Sequence, residues 1–160
     1  MRWIWIDKFV EFESGKRAVA IKNVSLAEEH LHDHFPGYPI MPASLMIEAM
    51  AQTSGILVGE ARGFREKVIL AKVTKAVFHD LARPGDQLRL EAVADSVVEE
   101  AATITGTITC QNRTIAEISL IFSHIDKNMA GLEFPEENFV FNDQFMNLLQ
   151  FYKPTGATGS

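Results

Sequence analysis

Residues 30–42 read HLHDHFPGYPIMP. Three histidines and an aspartate fall within five positions, and three prolines and a glycine come directly after them. Two chemistries suit such a stretch. His30, His32 and His34 alternate, so in an extended segment they would point one way, as metal ligands must. The run is, however, one residue short of the HxHxDH ligand pattern, and His79 and His124 have no ligand neighbours in sequence. The expectation is therefore no metal site, with His30 and His32 as exposed loop residues. His34 differs in its C-terminal neighbours. Phe35 offers an apolar anchor, Pro36, Pro39 and Pro42 fix backbone torsions, and Gly37 admits a torsion that other residues resist. A ring held in this way is either a preorganised base or a structural histidine that braces the loop.

A second chemical group lies just beyond. Residues 43–62 (ASLMIEAMAQTSGILVGEAR) are rich in helix formers, with Pro42 and Ser44 suited to a start and Gly63 to a stop. The first three turns leave little polar face, so the helix should be buried. Glu48 and Gln52 are the exceptions, four apart and on one face, with Ser44 a turn earlier. A carboxylate there is costly unless it is paired or functional, and the bland alternative is a salt bridge to a lysine or arginine. The first backbone N–H groups of the helix, at Ala43 to Leu45, are free to hold an oxygen that gains charge. A base, an acid and oxyanion donors together describe abstraction of an α-proton with loss of a β-leaving group. Ser44 and Ser54 lack a nucleophile elbow, so Ser-His-Asp chemistry is not indicated.

The scaffold for these groups is legible in the residue pattern. Residues 3–12 and 17–24 are β-prone and flank the turn ESGK, which reads as a hairpin. After the loop and helix, residues 67–79 form one long strand or two joined by a bend. ARPGDQ is a turn. Residues 87–99 form the next strand. TITGTITC points Thr outward and Ile and Gly inward, QNR turns, and residues 114–125 complete a meander. One buried helix against a long antiparallel sheet is an α+β layout. One helix covers only one face and leaves sheet edges open, so a dimer is expected. Residues 1–125 form the domain. Residues 126–160 are an extension whose FNDQFMNLLQFY makes a short amphipathic helix, with Phe141, Phe145, Leu148 and Leu149 along one side, before a disordered KPTGATGS.

At 160 residues, 47% apolar and 22% charged, the chain has the make-up of one ordinary globular domain. The net charge of -6 gives no footing for general nucleic-acid or anionic-membrane binding. The single cysteine, Cys110, excludes a disulfide framework and reads as a strand residue. MRWIWIDKF is too short and too polar for a signal peptide or span, so a cytoplasmic protein is expected.

The residues HFPGYPIMPASLMIEAMAQTSGIL closely resemble the signature of the bacterial 3-hydroxyacyl-acyl-carrier-protein dehydratases of the FabZ type, HFPGxPIxPGVLxxEAMAQ. DKFVEFESGKRAVAIKNVS before it and FHDLARPGDQLRLE after it agree as well, so the resemblance covers roughly residues 3 to 125. It implies a hot-dog fold, a long antiparallel sheet wrapped around one central helix, working as a homodimer or a trimer of dimers with sites at the dimer interface. It implies reversible loss of water from a (3R)-3-hydroxyacyl thioester, carried by phosphopantetheine on acyl carrier protein, in fatty-acid or related lipid synthesis, with no cofactor. His34 of one subunit would take the C2 proton and Glu48 of the other would protonate the leaving hydroxyl. Ala43, Gly37 and Gln52 would form the oxyanion and substrate-binding set, with Ala43 holding the thioester oxygen and Gln52 orienting Glu48 or a water. Glutamate at 48 favours the plain dehydratase over the dehydratase-isomerase relatives.

The chain departs from that pattern in several places. Ala43 and Ser44 replace Gly-Val, which keeps the N–H donor but not glycine's torsional freedom. Lys72 either narrows the acyl tunnel or points to solvent. Asp80 thins the basic carrier-protein surface, leaving Lys72, Lys75, His79 and Arg83. An N-terminal helix of the family is missing, and the extension is expected to cover the tunnel end in its place. Two alternatives therefore stand beside the dehydratase: an inactive or acyl-carrier-binding homologue, and a hot-dog acyl thioesterase.

Overall fold

A computed structural model describes residues 3–125 and 131–150, the last three by their backbone alone. Six antiparallel strands form one sheet, ordered β1-β2-β4-β5-β6-β3. They are β1 (Lys8–Glu13), β2 (Arg17–Asn23), β3 (Val68–Phe78), β4 (Gln87–Val97), β5 (Ala101–Cys110) and β6 (Arg113–His124). The long helix α1 (Ala43–Ala61) crosses the sheet, and a shorter helix, α2 (Asp143–Gln150), lies in the C-terminal segment. This is the α+β, hot-dog layout expected from the sequence.

The strands pair where alternation predicts. On β5, Ala102, Ile104, Gly106, Ile108 and Cys110 face the core while the threonines between them do not. Gln111 and Asn112 turn the chain from β5 to β6, both at positive φ, the handedness a two-residue hairpin needs. Residues 68–78 are one strand rather than two, and its irregularity appears as shifts in register against β6 near Leu70–Lys72 and Val73–Lys75.

The hairpin is shorter than expected at its start. Residues 3–7 read as strand, yet β1 begins at Lys8. The reason is competition from α1: the Trp5 N–H donates to Gln52 Oε1 (2.8 Å), and the Trp5 ring is buried. The chain therefore leaves the sheet to run along the helix.

Met46, Ala49, Met50, Thr53 and Leu57 of α1 are buried against the sheet, and the Thr53 hydroxyl donates to the Ala49 carbonyl (2.9 Å). Close approach is possible because Gly106 has no side chain. A Cβ there would lie 2.6 Å from Met50 Sδ and 2.8 Å from the Ile118 carbonyl oxygen. Gly106→Ala is expected to destabilise the fold by roughly 1–3 kcal/mol, as overpacking does. A lower midpoint of thermal unfolding, monitored by circular dichroism, checks this.

Helix α1 is buried on its sheet side, while Leu45, Ile47, Glu48, Gln52 and Gly55 remain half-covered on the other. The outer strand β3 is still more open: from Leu70 to Phe78 every residue is exposed, including Val73 and Val77.

The C-terminal segment docks on the domain. Asn138 pins it by four hydrogen bonds: its Nδ2 donates to the carbonyls of Phe64 (3.1 Å) and Glu66 (3.2 Å), and its Oδ1 accepts from the N–H groups of Val140 and Phe141. The Phe141 ring is buried between Phe64 (5.2 Å) and Phe145 (5.5 Å), a burial contributing on the order of 2–3 kcal/mol. Asn142 Oδ1 accepts the Phe145 N–H and so caps α2. Of the expected apolar stripe, Phe141 and Phe145 are seen. The side chains of Leu148 and Leu149, and the KPTGATGS end, lie outside the described residues.

Candidate active site

His34 sits in the turn between the short 3-10 helix Glu29–Leu31 and α1. The loop is braced by its own backbone. Phe35 and Tyr38 exchange hydrogen bonds (3.1 and 2.9 Å), the Ile40 N–H donates to the His34 carbonyl (3.0 Å), and the Met41 N–H donates to the Ala82 carbonyl (2.8 Å). Gly37 has φ 77°, the left-handed torsion that its position requires. The half-buried His34 ring stacks on Phe35 at 4.2 Å. Its Nδ1 lies 3.0 Å from the Ile40 carbonyl oxygen. A carbonyl only accepts, so Nδ1 carries the proton, and in the neutral ring Nε2 keeps its lone pair. That is the tautomer a base needs.

His30 is not the exposed bystander that its position suggests. It is half-buried, its ring meets Trp5 edge-on at 5.0 Å, and Nε2 is buried without a partner among the described residues. Burial holds it below the usual imidazole range, opposed by Glu28. The cause is the 3-10 turn, which replaces the extended geometry that would have aligned the three histidines and turns His30 inward beside Leu31. His32 is exposed as expected. Among the described residues no group of three or more His, Cys, Asp or Glu side chains converges.

Glu48 is half-buried on the open side of α1, and its partner is no lysine or arginine. The Trp3 indole N–H (2.9 Å) and the Gln52 amide (3.0 Å) both donate to Oε1. Gln52 is itself fixed, accepting from the Trp5 N–H and donating to the Trp3 carbonyl (3.1 Å). Glu48 Oε2 takes no hydrogen bond among the described residues. Trp3 is the residue of this site that the sequence did not reveal. Its role depends on a contact across 45 positions, and only the amphipathic character of indole hinted at it. Trp3→Phe keeps the ring and removes the donor. Loss of about 1 kcal/mol of orientation predicts a roughly fivefold fall in kcat with KM little changed, read from steady-state kinetics.

Glu48, Gln52 and Trp3 line a cavity of about 380 Å³ whose other walls are apolar, among them Ile56, Phe122 and Phe141. His34 is not among the residues that line it. Ala43 opens α1, capped by Pro42 without a side-chain hydrogen bond. Neither the Ala43 nor the Ser44 N–H has a partner among the described residues, as the oxyanion role requires.

On the expected carrier surface the cations are partly spent. His79 (2.8 Å) and Lys75 (3.0 Å) both bind Glu117, holding that carboxyl below its usual range. Arg83 reaches Asp80 (3.6 Å) and the Tyr38 hydroxyl (3.5 Å). Lys72 is exposed on β3. Cys110 is buried, and that burial raises its thiol above the ordinary range, the opposite of a nucleophile's environment. Among the described residues no helix is long and apolar enough to cross a membrane.

The FabA-like domain family matches residues 3–119. A protein of Hydrogenobaculum sp. called 3-hydroxyacyl-[acyl-carrier-protein] dehydratase FabZ is 42% identical over 119 residues, spanning 72% of this chain and 80% of that protein. The FabZ of Caldanaerobacter subterraneus is 39% identical, over 75% of this chain and 86% of its own length. Among solved structures, the dehydratase heterocomplex ApeI:P of Xenorhabdus doucetiae superposes with a TM-score of 0.64 at 18% identity, covering 76% of this chain and 83% of that one. The PaaI protein of E. coli gives 0.59 at 14% identity, covering 75% and 79%. At these identities the structural matches speak for the fold.

Proposed function

The chain belongs to the FabA-like family, with FabZ dehydratases as its relatives, and from that premise we propose that it is a hydro-lyase that interconverts (3R)-3-hydroxyacyl and trans-2-enoyl thioesters on acyl carrier protein. The observation that carries the reading is Glu48: a carboxyl whose Oε1 is held by two donors, on a residue that lines an otherwise apolar cavity.

The geometry suggests a division of labour. The thioester carbonyl sits at the N-terminus of α1, where the Ala43 N–H stabilises the oxygen as C2 becomes carbanionic. His34 Nε2 removes the C2 proton. Glu48, protonated on Oε2, gives that proton to the C3 hydroxyl, which leaves as water while the C2–C3 double bond forms. Imidazolium and carboxylate remain and are reset by proton exchange, or they run the hydration in reverse. Gln52 and Trp3 position Glu48.

His34 and Glu48 come together in a homodimer. The open edge of β3, with its exposed apolar side chains, pairs with its copy and brings the His34 loop of one subunit to the Glu48 cavity of the other. Lys72, Lys75 and Arg83 remain the surface for the acidic carrier protein, with the attraction weakened by Glu117 and Asp80. The reaction is assigned to the cytoplasm.

The test offers 3-hydroxybutyryl thioesters, on carrier protein and on coenzyme A, to the purified protein. Reversible enoyl-thioester absorbance is the expected result. Release of free thiol would make the protein a thioesterase instead, and neither product would make it a binding homologue.

A further inference from the structure

The matched family domain ends at residue 119, yet the cavity beside Glu48 is walled in part by Val140, Phe141 and Phe145, from the segment beyond it. Phe141 lies against Gly59 of α1, where any Cβ would overlap its ring. Gly59 stands eleven residues after Glu48, so the ring is about 16 Å along the helix axis from the proposed acid. Between them the helix offers only Ala51, Gly55 and Ile56 to the cavity beyond Gln52, a smooth apolar floor. The ring is not loosely draped. Asn138 ties its backbone to the connection between α1 and β3 through the carbonyls of Phe64 and Glu66.

We infer that Phe141 is the end-stop of the acyl site: it sets an upper limit on the chain that can extend past Glu48, so the protein prefers short and medium 3-hydroxyacyl thioesters over long ones. This rests on the dehydratase reading for the position of the thioester. The place of Phe141 in the cavity wall is a matter of the fold alone. A chain that reaches beyond Gly59 meets an aromatic ring packed on Phe64 and Phe145. To pass, it must displace that ring and the Asn138 hydrogen bonds together, which divides the substrates by length.

The experiment uses the full chain, with Phe141→Ala to remove the stop and Asn138→Ala to release its tether while leaving the ring. Melting curves establish that each variant is folded. The readouts are kcat/KM for 3-hydroxypalmitoyl against 3-hydroxybutyryl thioester, and calorimetric binding of palmitoyl-CoA against butyryl-CoA, which needs no turnover. The wild type should favour the short chain in both. Each variant should raise the long-to-short ratio at least about tenfold, the scale on which a pocket discriminates by size. A wild type that accepts both chains equally, or folded variants with an unchanged ratio, overturns the inference. Length-selective binding without any turnover would support the end-stop and sink the dehydratase reading, whereas binding of neither chain would sink both.

Discussion

Glu48→Gln is expected to lower kcat by roughly a thousandfold, within the range that a positioned acid contributes, while leaving the protein folded. The substitution is chosen for what it keeps. A glutamine oxygen at the place of Oε1 still accepts from the Trp3 indole and the Gln52 amide, so the pair that fixes the side chain survives. What is lost is the proton assigned to the other oxygen, Oε2. An amide cannot release that proton to a departing hydroxide. Steady-state rates on a 3-hydroxyacyl thioester, with a melting curve beside them, decide the matter: a folded protein that keeps turning over would remove Glu48 from the chemistry. The same variant should still bind product enoyl thioester, because the cavity walls are untouched.

His34→Asn is expected to cost at least about a hundredfold in kcat. Asparagine can offer its amide N–H to the Ile40 carbonyl, preserving the brace that holds the loop, but it has no basic nitrogen to present on the far side. The sharper result comes from mixing. Under the proposed function the two groups come from different subunits. If so, a dimer of one His34→Asn chain and one Glu48→Gln chain has one site with both lesions and one with none. Co-expression of the two inactive chains at equal levels should restore about a quarter of wild-type activity by random pairing. No recovery from a properly mixed dimer would place both groups in one chain and overturn the shared site.

The sequence makes some of this visible and hides the rest for physical reasons. Pro42, the helix formers and Gly63 delimit α1 because caps and propensity are local. Alternation in TITGTITC shows in β5 because a half-buried strand imposes a period of two. Glu48 and Gln52 stand out as polar residues on an apolar helix, and the prolines mark the His34 loop. The start of β1 escapes local reading because Trp3 and Trp5 satisfy strand propensity and are claimed instead by Gln52 and Glu48, more than forty residues away. His30 escapes it because a single 3-10 turn rotates the ring inward. The seat of Phe141 on Gly59 is equally hidden, since a glycine inside a helix announces that something comes close without saying what. The exposure of β3 cannot be read from its composition, which is that of any strand; it is a consequence of the sheet order.

The indole that holds the proposed acid also gives the protein a built-in optical gauge. The chain has only two tryptophans. Trp5 is 3% exposed in the core, and Trp3 is 60% exposed at the edge of the cavity with its N–H on Glu48 Oε1. Their emission should differ in colour, the buried one bluer, and only the redder component should respond as an acyl chain fills the site. Ligand occupancy can thus be tracked in the unlabelled protein, with Trp3→Phe as its own blank.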